Sequence, residues 1–146
     1  MITYSIYVID DEKTITDGIS MALEGDFRLK SFSRAESAIE ALEEDRPDLI
    51  LLDVGLPGIN GIEALRQIKS SNPDILVIMI TAYEDIKSVI SAMKLGAYEY
   101  EIKPFVIDEV LALIDRALEM KREGRGIRRL LSGYTLGLLF DKASTR

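Results

Sequence analysis

Five side chains that can bind cations or phosphoryl groups come directly after short segments with the character of β-strands. They are Asp10 and Asp11 after the first segment, Asp53 after the third, Thr81 after the fourth and Lys103 after the fifth. The chain contains no His and no Cys, which excludes histidine bases, catalytic triads and thiol chemistry. Oxygen ligands alone suit Mg²⁺ or Mn²⁺, and a lysine and a hydroxyl suit phosphoryl oxygens. A carboxylate beside them can attack phosphorus and form an aspartyl phosphate.

Asp53 has the most informative position. The run Leu49–Leu52 is entirely apolar and leads into Asp53, and the following loop contains the turn formers Pro57 and Gly58. Such a run is typical of a strand buried on both faces, and open α/β sheets bind ligands at the carboxyl ends of such strands. The alternative is that Asp53 caps the helix that begins near Gly61. An N-cap lies immediately before its helix, and Asp53 is eight residues too early.

Predicted strands and helices alternate five times along the chain. The second helix opens with a capping box, Ser33 followed by Glu36, and Gly124 is expected to end the fifth. This alternation predicts a parallel sheet with helices on both faces, so the five polar side chains should meet at one edge. Strands are predicted at 5–9, 27–32, 49–53, 75–80 and 98–102, and helices at 13–24, 35–44, 61–71, 85–95 and 106–123.

Composition limits the remaining functions. The chain has 146 residues and a net charge of −7, which suits one domain. Residues 121–146 carry seven basic and two acidic side chains, so the rest is strongly acidic and should not bind nucleic acid directly. The longest purely apolar run, Ile75–Ile80, is too short to cross a bilayer, and the first residues lack the basic start of a signal peptide. We therefore expect a cytoplasmic protein without a membrane segment.

Together these residues resemble the receiver domain of two-component response regulators. The resemblance covers residues 5 to about 120 and lies in Asp10-Asp11, Asp53 with Leu56-Pro57-Gly58, Thr81-Ala82 and Lys103-Pro104-Phe105. It implies a flavodoxin-like receiver fold, an α/β doubly wound five-stranded parallel sheet in the order 2-1-3-4-5 with five helices. The stretch Ala82-Tyr83-Glu84-Asp85 further resembles the nitrogen-regulatory (NtrC) type.

The resemblance implies that Asp53 is the phosphoacceptor and receives a phosphoryl group from a histidine kinase. It also implies a site for Mg²⁺, with Mn²⁺ as a substitute. Asp11 would bind this metal directly, Asp10 would bind mostly through water, and Asp53 and the carbonyl of Gly55 would complete the protein ligands. Such a receiver is not an enzyme in the usual sense, although it assists its own phosphorylation and dephosphorylation.

Further residues are implied to act once the phosphoryl group has arrived. Lys103 would pair with it, and the peptide bond to Pro104 is expected to be cis. Thr81 would bond to a phosphoryl oxygen and Tyr100 would follow it inward, while Tyr83 would shield one side from water. The new charge would then bias the surface formed by the fourth helix, the fifth strand and the fifth helix.

This surface is also where we expect a homodimer. The fourth and fifth helices carry more apolar residues than packing against one sheet requires, and leftover apolar surface usually marks an interface. The residues are Ile86, Val89, Ile90 and Met93 on the fourth helix and Val110, Leu111, Leu113, Ile114, Ala117 and Leu118 on the fifth. The resemblance implies control of an output domain or partner in transcription regulation, although no Walker A loop or helix-turn-helix is present.

Two other functions of this fold stay open. One is a metal-dependent phosphohydrolase, but Gly55 stands where such enzymes commonly carry a second acid. The other is a pseudo-receiver that serves only as an interaction module, and the complete acidic set with Lys103 argues against it. Within the receiver pattern, Glu101 departs from the apolar residue that the family often has.

The end of the chain differs from its body in kind. We divide the chain into a receiver domain, 1–123, and a basic and apolar tail, 124–146, in which Gly124 and Gly126 loosen the backbone. The tail is either the stump of a linker or a helix that packs on the receiver or on a second subunit.

Overall fold

The computed structural model describes residues 3–82, 84 and 86–130, which form five strands and five helices in strict alternation. The strands are β1 (Ser5–Ile9), β2 (Arg28–Phe32), β3 (Leu49–Asp53), β4 (Leu76–Ala82) and β5 (Glu99–Lys103). The helices are α1 (Lys13–Leu23), α2 (Ala35–Ala41), α3 (Gly61–Ser71), α4 (Ile86–Lys94) and α5 (Ile107–Leu130). All strand pairs are parallel, and the order in the sheet is β2-β1-β3-β4-β5, as predicted.

The centre of the sheet consists of β1 and β3, and every residue of both strands is buried. Alternate residues of β3 face two separate cores. Leu49 and Leu51 pack with side chains of α1 and α5, whereas Ile50 and Leu52 pack with side chains of α2, α3 and α4. Helices therefore cover both faces of the strand, which explains why the run before Asp53 has no polar position.

The start of α3 settles how Asp53 should be interpreted. Asn60 is the N-cap residue of this helix, and its Oδ1 accepts a hydrogen bond from the backbone N–H of Glu63 at 3.0 Å. The helix thus has a cap immediately before its first residue, as capping chemistry requires. The alternative that Asp53 serves as the cap is wrong, and its carboxylate remains available for other contacts.

The predicted capping box of α2 is also wrong. The N-cap residue is Arg34 rather than Ser33, and no side chain bonds the cap. The carboxylate of Glu36 instead accepts hydrogen bonds from the guanidinium of Arg34 at 2.9 Å and from the backbone N–H of Ile59 at 3.4 Å. The carboxylate of Glu36 thus contacts the loop after β3 and does not form the predicted hydrogen bond at the start of its own helix. The helix also ends at Ala41 because the next residues form tighter turns.

The fifth helix is longer than predicted. It continues through Gly124 and Gly126 to Leu130, whereas the sequence predicts its end near residue 123. Glycine costs only about 1 kcal/mol in a helix, and the neighbouring Lys, Arg, Glu and Leu residues are good helix formers. The prediction for the rest of the tail lies outside the described residues. None of the helices described is both long and apolar enough to cross a bilayer.

Among the described side chains, the expected surplus of apolar surface is larger on α4 than on α5, where Met120 is 42% exposed. Ile90 and Met93 of α4 are 64% and 40% exposed. On α5, by contrast, five of the six apolar residues named above are buried, and Leu111 packs against the core on that side. This helix uses its apolar stripe to cover the sheet, because it packs against both α1 and the β-strands. An apolar interface would therefore depend on α4.

Candidate functional site

The predicted side chains meet at the carboxyl edge of the sheet. Asp53 is the last residue of β3 and Lys103 the last of β5, whereas Asp10 follows β1 directly and Thr81 lies one residue before the end of β4. The packing of α3 against β3 fixes the position of this edge. A Cβ atom on Gly61 would lie 2.2 Å from the carbonyl oxygen of Asp53, so only glycine lets the helix begin so close to the strand.

Three carboxylates form a cluster at this edge. Asp10, Asp11 and Asp53 each offer an oxygen, and these oxygens lie within 4.8 Å of one another. Asp10 and Asp53 are buried, and Asp11 is exposed, so the cluster reaches from the interior to the surface. The three carboxylates meet because β1 and β3 are neighbours in the sheet, so the polar residues at their carboxyl ends lie side by side.

Burial and repulsion make the ionised form of this cluster costly. Burial, together with the nearby charge of Asp10, raises the pKa of Asp53 to about 6. The ammonium of Lys103 and the backbone N–H of Gly55, which lies 3.3 Å from Asp53 Oδ1, act in the opposite direction. The raised pKa shows that one lysine does not compensate for the burial and crowding of these carboxylates.

The cluster fits a small hard cation. Its ligand atoms are all carboxylate oxygens, which Mg²⁺ and Mn²⁺ prefer. In addition, Asp10 Oδ2 is buried and lacks a well-aligned hydrogen bond within the described part of the chain, although Lys103 Nζ lies 2.9 Å away. Asp10 Oδ2 therefore has Lys103 as its charged neighbour and keeps acceptor capacity that a divalent ion at the cluster could use.

Lys103 contacts three acidic groups rather than one. Its Nζ lies 2.9 Å from Asp10 Oδ2, 3.5 Å from Asp53 Oδ1 and 2.8 Å from Glu12 Oε1. Burial by itself would lower the pKa of Lys103, but Glu12, Asp10 and Asp53 outweigh it and the pKa is raised. The ammonium is therefore charged at neutral pH. Its peptide bond to Pro104 is cis, which confirms the prediction.

Glu12 is the member of this site that the sequence did not predict. Its partner, Lys103, is 91 residues away in the chain, so no local pattern reveals the contact. The one local signal is weak: Glu12 continues the acidic run that begins with Asp10 and Asp11, and such a run does not say which of its members face the site.

Thr81 lies in β4 and Tyr100 lies in β5, with different exposures. Thr81 is completely buried, and its hydroxyl donates a hydrogen bond to the carbonyl oxygen of Ala82 at 3.1 Å. Tyr100 is half-buried, pairs with Met79 across the sheet and packs against the core that α4 helps to form. The hydroxyl of Thr81 must turn away from Ala82 before it can bond to another group.

The loop after β3 places Gly55 at the surface, two residues from Asp53. Among the described residues, a Cβ atom at Gly55 would meet nothing within 4 Å, so this residue faces open space. Tyr83, which the resemblance implies on the opposite flank of the site, lies outside the described residues.

Comparison with known proteins identifies the family. A family model described as "Response regulator receiver domain" matches residues 6–115. The DNA-binding transcriptional regulator NtrC of Escherichia coli K12 is 35% identical over 136 residues, which represent 92% of this chain and 29% of the relative. The chain thus spans less than a third of the length of this relative.

Solved structures agree with this result. The crystal structure of NtrX from Brucella abortus superposes with a TM-score of 0.81 and 32% identity, over 88% of this chain and 30% of that one. The crystal structure of the receiver domain of NtrX from Brucella abortus gives a TM-score of 0.73 and 35% identity, over 78% of this chain and 98% of that one. Because the match covers most of the sequence and its carboxylate edge, the chain belongs to the family of response regulator receiver domains.

Proposed function

We propose that Asp53 accepts a phosphoryl group from a histidine kinase and that the domain thereby transmits a signal to a regulator of transcription. The observation that supports this most strongly is the grouping of Asp53 with two further carboxylates, a buried threonine and a charged lysine at one sheet edge. Phosphoryl transfer needs a nucleophile and compensation of negative charge, and this group of side chains supplies both.

The chemical step forms one bond and breaks another. A carboxylate oxygen of Asp53 attacks the phosphorus, the new P–O bond gives an acyl phosphate, and the P–N bond to the kinase imidazole breaks. Asp10, Asp11, Asp53 and the carbonyl of Gly55 would hold Mg²⁺, which supplies positive charge to the transferring oxygens when it is bound. Lys103, whose Nζ lies 3.5 Å from Asp53 Oδ1, offers a second positive charge.

The response of the domain would begin at the buried hydroxyl of Thr81. This hydroxyl gives up the carbonyl of Ala82 and bonds to a phosphoryl oxygen, which leaves space for Tyr100 to move inward. Tyr100 is already half-buried against the core beside α4, so its movement would change the surface of α4, β5 and α5. Phosphorylation shifts the equilibrium between the inactive and active conformations of that surface only by as much as it stabilises the active one relative to the inactive one.

Partners follow from the same surface and from the relatives. NtrC is named as a DNA-binding transcriptional regulator, and we infer that this domain controls an output domain or partner of that kind without binding nucleic acid itself. The exposed Ile90 and Met93 support a homodimer in which α4 contributes the apolar part of an isologous contact.

Incubation with acetyl phosphate and Mg²⁺, followed by intact mass spectrometry, tests the proposed acceptor. We expect a single added phosphoryl mass that Asp53→Asn abolishes and that removal of the metal by a chelator prevents. Continuous release of phosphate without a lasting adduct would instead support a phosphohydrolase, and no reaction would support a pseudo-receiver. An adduct that persists in Asp53→Asn would contradict the assignment of the acceptor.

A further inference from the structure

Glu12 occupies an unusual position for a residue at the start of a helix. It is the N-cap residue of α1, yet its side chain makes no capping hydrogen bond. The short side chains that usually occupy this position, Ser, Thr, Asp and Asn, accept a hydrogen bond from the first turn of their own helix. The longer side chain of Glu12 reaches instead to Lys103 Nζ at 2.8 Å. Its contact is therefore with the site and not with its helix.

The exposed fractions of the four charged side chains show that the contact between Lys103 and Glu12 lies on the solvent side of the cluster. The side chains of Asp10 and Asp53 are 0% and 7% exposed, Lys103 is 15% exposed and Glu12 is 55% exposed. Lys103 thus lies between two buried carboxylates and one that borders the solvent. The shortest of its three contacts is to the outer carboxylate, Glu12.

An ammonium and a divalent cation compete for the same oxygens. Lys103 lies within ion-pair distance of Asp10 and Asp53, two of the three carboxylates that fit a metal. Lys103 already pairs with Asp10 Oδ2 at 2.9 Å, and a closer approach to Asp53, now at 3.5 Å, would add to its repulsion of a second cation. A counter-charge that holds the ammonium near the surface lessens this competition.

We propose, on the basis of the metal-assisted phosphoacceptor site proposed above, that Glu12 is a positioning residue that draws Lys103 outward and keeps the cluster available for a divalent cation. In this arrangement Glu12 does not bind the metal and acts only through Lys103. If Glu12 and Lys103 formed only an ordinary surface ion pair, the affinity of Asp10 and Asp53 for a divalent cation would not depend on Glu12.

A double-mutant cycle separates action through Lys103 from a direct effect of charge. The protein is titrated with MgCl₂ at constant ionic strength, and binding is followed by the NMR shift of the Gly55 amide, which donates to Asp53. Four chains are compared: wild type, Glu12→Gln, Lys103→Met and the double variant. Glu24→Gln, an exposed glutamate at the end of α1, serves as the matched control.

We expect Glu12→Gln to weaken Mg²⁺ binding by about threefold to tenfold when Lys103 is present and to have little effect in the Lys103→Met chain, a coupling of the size measured for groups in contact. Equal weakening in both chains would show that Glu12 acts only by its own charge and would overturn the proposal, as would unchanged binding in both.

Failure of the underlying function gives a different result. If no chain shows a saturable shift of Gly55 with Mg²⁺, the metal site itself is wrong and the role of Glu12 falls with it. If Mg²⁺ binds but the cycle shows no coupling, the metal site stands and only the role of Glu12 is refuted. Thermal unfolding of each chain verifies that it is folded before the titration.

Discussion

At the scale of single residues, the site depends on charged groups that lie close together, and this arrangement lowers the stability of the fold. Asp53 is nearly enclosed, and its neighbours include two more carboxylates. Removing such charged groups from water costs free energy, so their burial is weak evidence that they stabilise the fold. Replacing Asp53 in metal-free buffer should therefore show how much stability its buried charge costs.

We expect Asp53→Asn to be more stable than the wild type in metal-free buffer above pH 7. The ordinary pKa of Asp53 is 3.8 and the fold raises it to about 6, so the folded chain binds this proton more tightly than the unfolded chain. The contribution of this group to stability is complete below pH 3.8 and is lost as the pH rises through 6. Asparagine cannot ionise, and its advantage should reach at most about 3 kcal/mol.

Urea unfolding at pH 3.5 and pH 8 measures this effect as the difference between variant and wild type. Asp26→Asn, at an exposed position, provides the control and should show no such growth with pH. An Asp53→Asn chain no more stable than the wild type at pH 8 would mean that Lys103 and the local N–H groups already compensate the charge.

The grouping of the candidate site residues could be predicted because each lies at or next to the carboxyl end of a strand. Asp10, Asp11, Asp53, Thr81 and Lys103 stand where apolar or alternating runs end, and a parallel sheet brings such ends to one edge. Glu12 could not be predicted in the same way, since its contact crosses the sheet from β1 to β5. The direction of the Thr81 hydroxyl was also beyond prediction, because it depends on the local backbone.

At the scale of helices and strands, the sequence predicts their existence better than their ends. Five strands and five helices were predicted and found, because apolar periodicity reports which faces are buried. The ends depend on weaker energies. The continuation of α5 through Gly124 and the use of Glu36 in a tertiary contact each involve about 1 kcal/mol, which neighbouring groups easily outweigh.

Two glycines that look alike in sequence should respond oppositely to alanine. A Cβ atom added to Gly18, inside α1, would meet nothing within 4 Å, whereas one added to Gly61 would meet the backbone of Asp53 at 2.2 Å. We expect Gly18→Ala to stabilise the fold by about 0.5–1 kcal/mol and Gly61→Ala to destabilise it by about 1–3 kcal/mol. Urea unfolding of the two variants measures both. A neutral Gly61→Ala would show that α3 can shift away from β3 without penalty.

The edge strand β5 carries a second group that depends on pH. Glu101 lies on the side of the sheet that α5 covers; burial, followed by the carboxyl groups of Glu109 and Glu99, raises its pKa to about 7. Because the folded pKa exceeds the ordinary 4.5, stability is complete below pH 4.5 and is lost as the pH rises through 7. We therefore expect Glu101→Gln to gain stability over the wild type between pH 5 and pH 8.

Melting temperatures of Glu101→Gln and the wild type, measured at several pH values, test this gain in stability. Glu40→Gln, at an exposed position of α2, should keep the pH dependence of the wild type. A Glu101→Gln chain whose stability changes with pH in parallel with the wild type would indicate that Glu101 is ionised at neutral pH.

At the scale of the whole molecule, the two faces of the sheet have different roles. On one face, most of the apolar side chains described on α5 are buried against the sheet, with Met120 as an exposed exception. The other face includes α4, which carries the exposed Ile90 and Met93. The sequence could not separate these cases, because both helices carry apolar residues in excess and only the tertiary packing shows which of them are used.

Substitution of the α4 surface should affect assembly without affecting the fold. We expect Ile90→Ser with Met93→Ser to abolish dimerisation in the presence of beryllofluoride, because these exposed side chains supply the apolar contact. Met21→Ser with Val106→Ser is the matched control, since these residues are 77% and 59% exposed elsewhere on the surface. Sedimentation velocity at about 100 μM detects contacts worth about −5.5 kcal/mol. A wild type that is monomeric both with and without beryllofluoride would exclude the dimer.

The length of α5 gives the molecule a mechanical property. Its 24 residues measure about 36 Å at 1.5 Å per residue, and Lys121 Nζ fastens it to Asp48 Oδ1 at 3.3 Å near the start of β3. The helix continues nine residues past that point, so a tilt of about 10° about this pivot displaces its end by about 2 Å. A small tilt of α5 caused by repacking beside β5 would therefore produce a larger displacement at Leu130 than at Lys121.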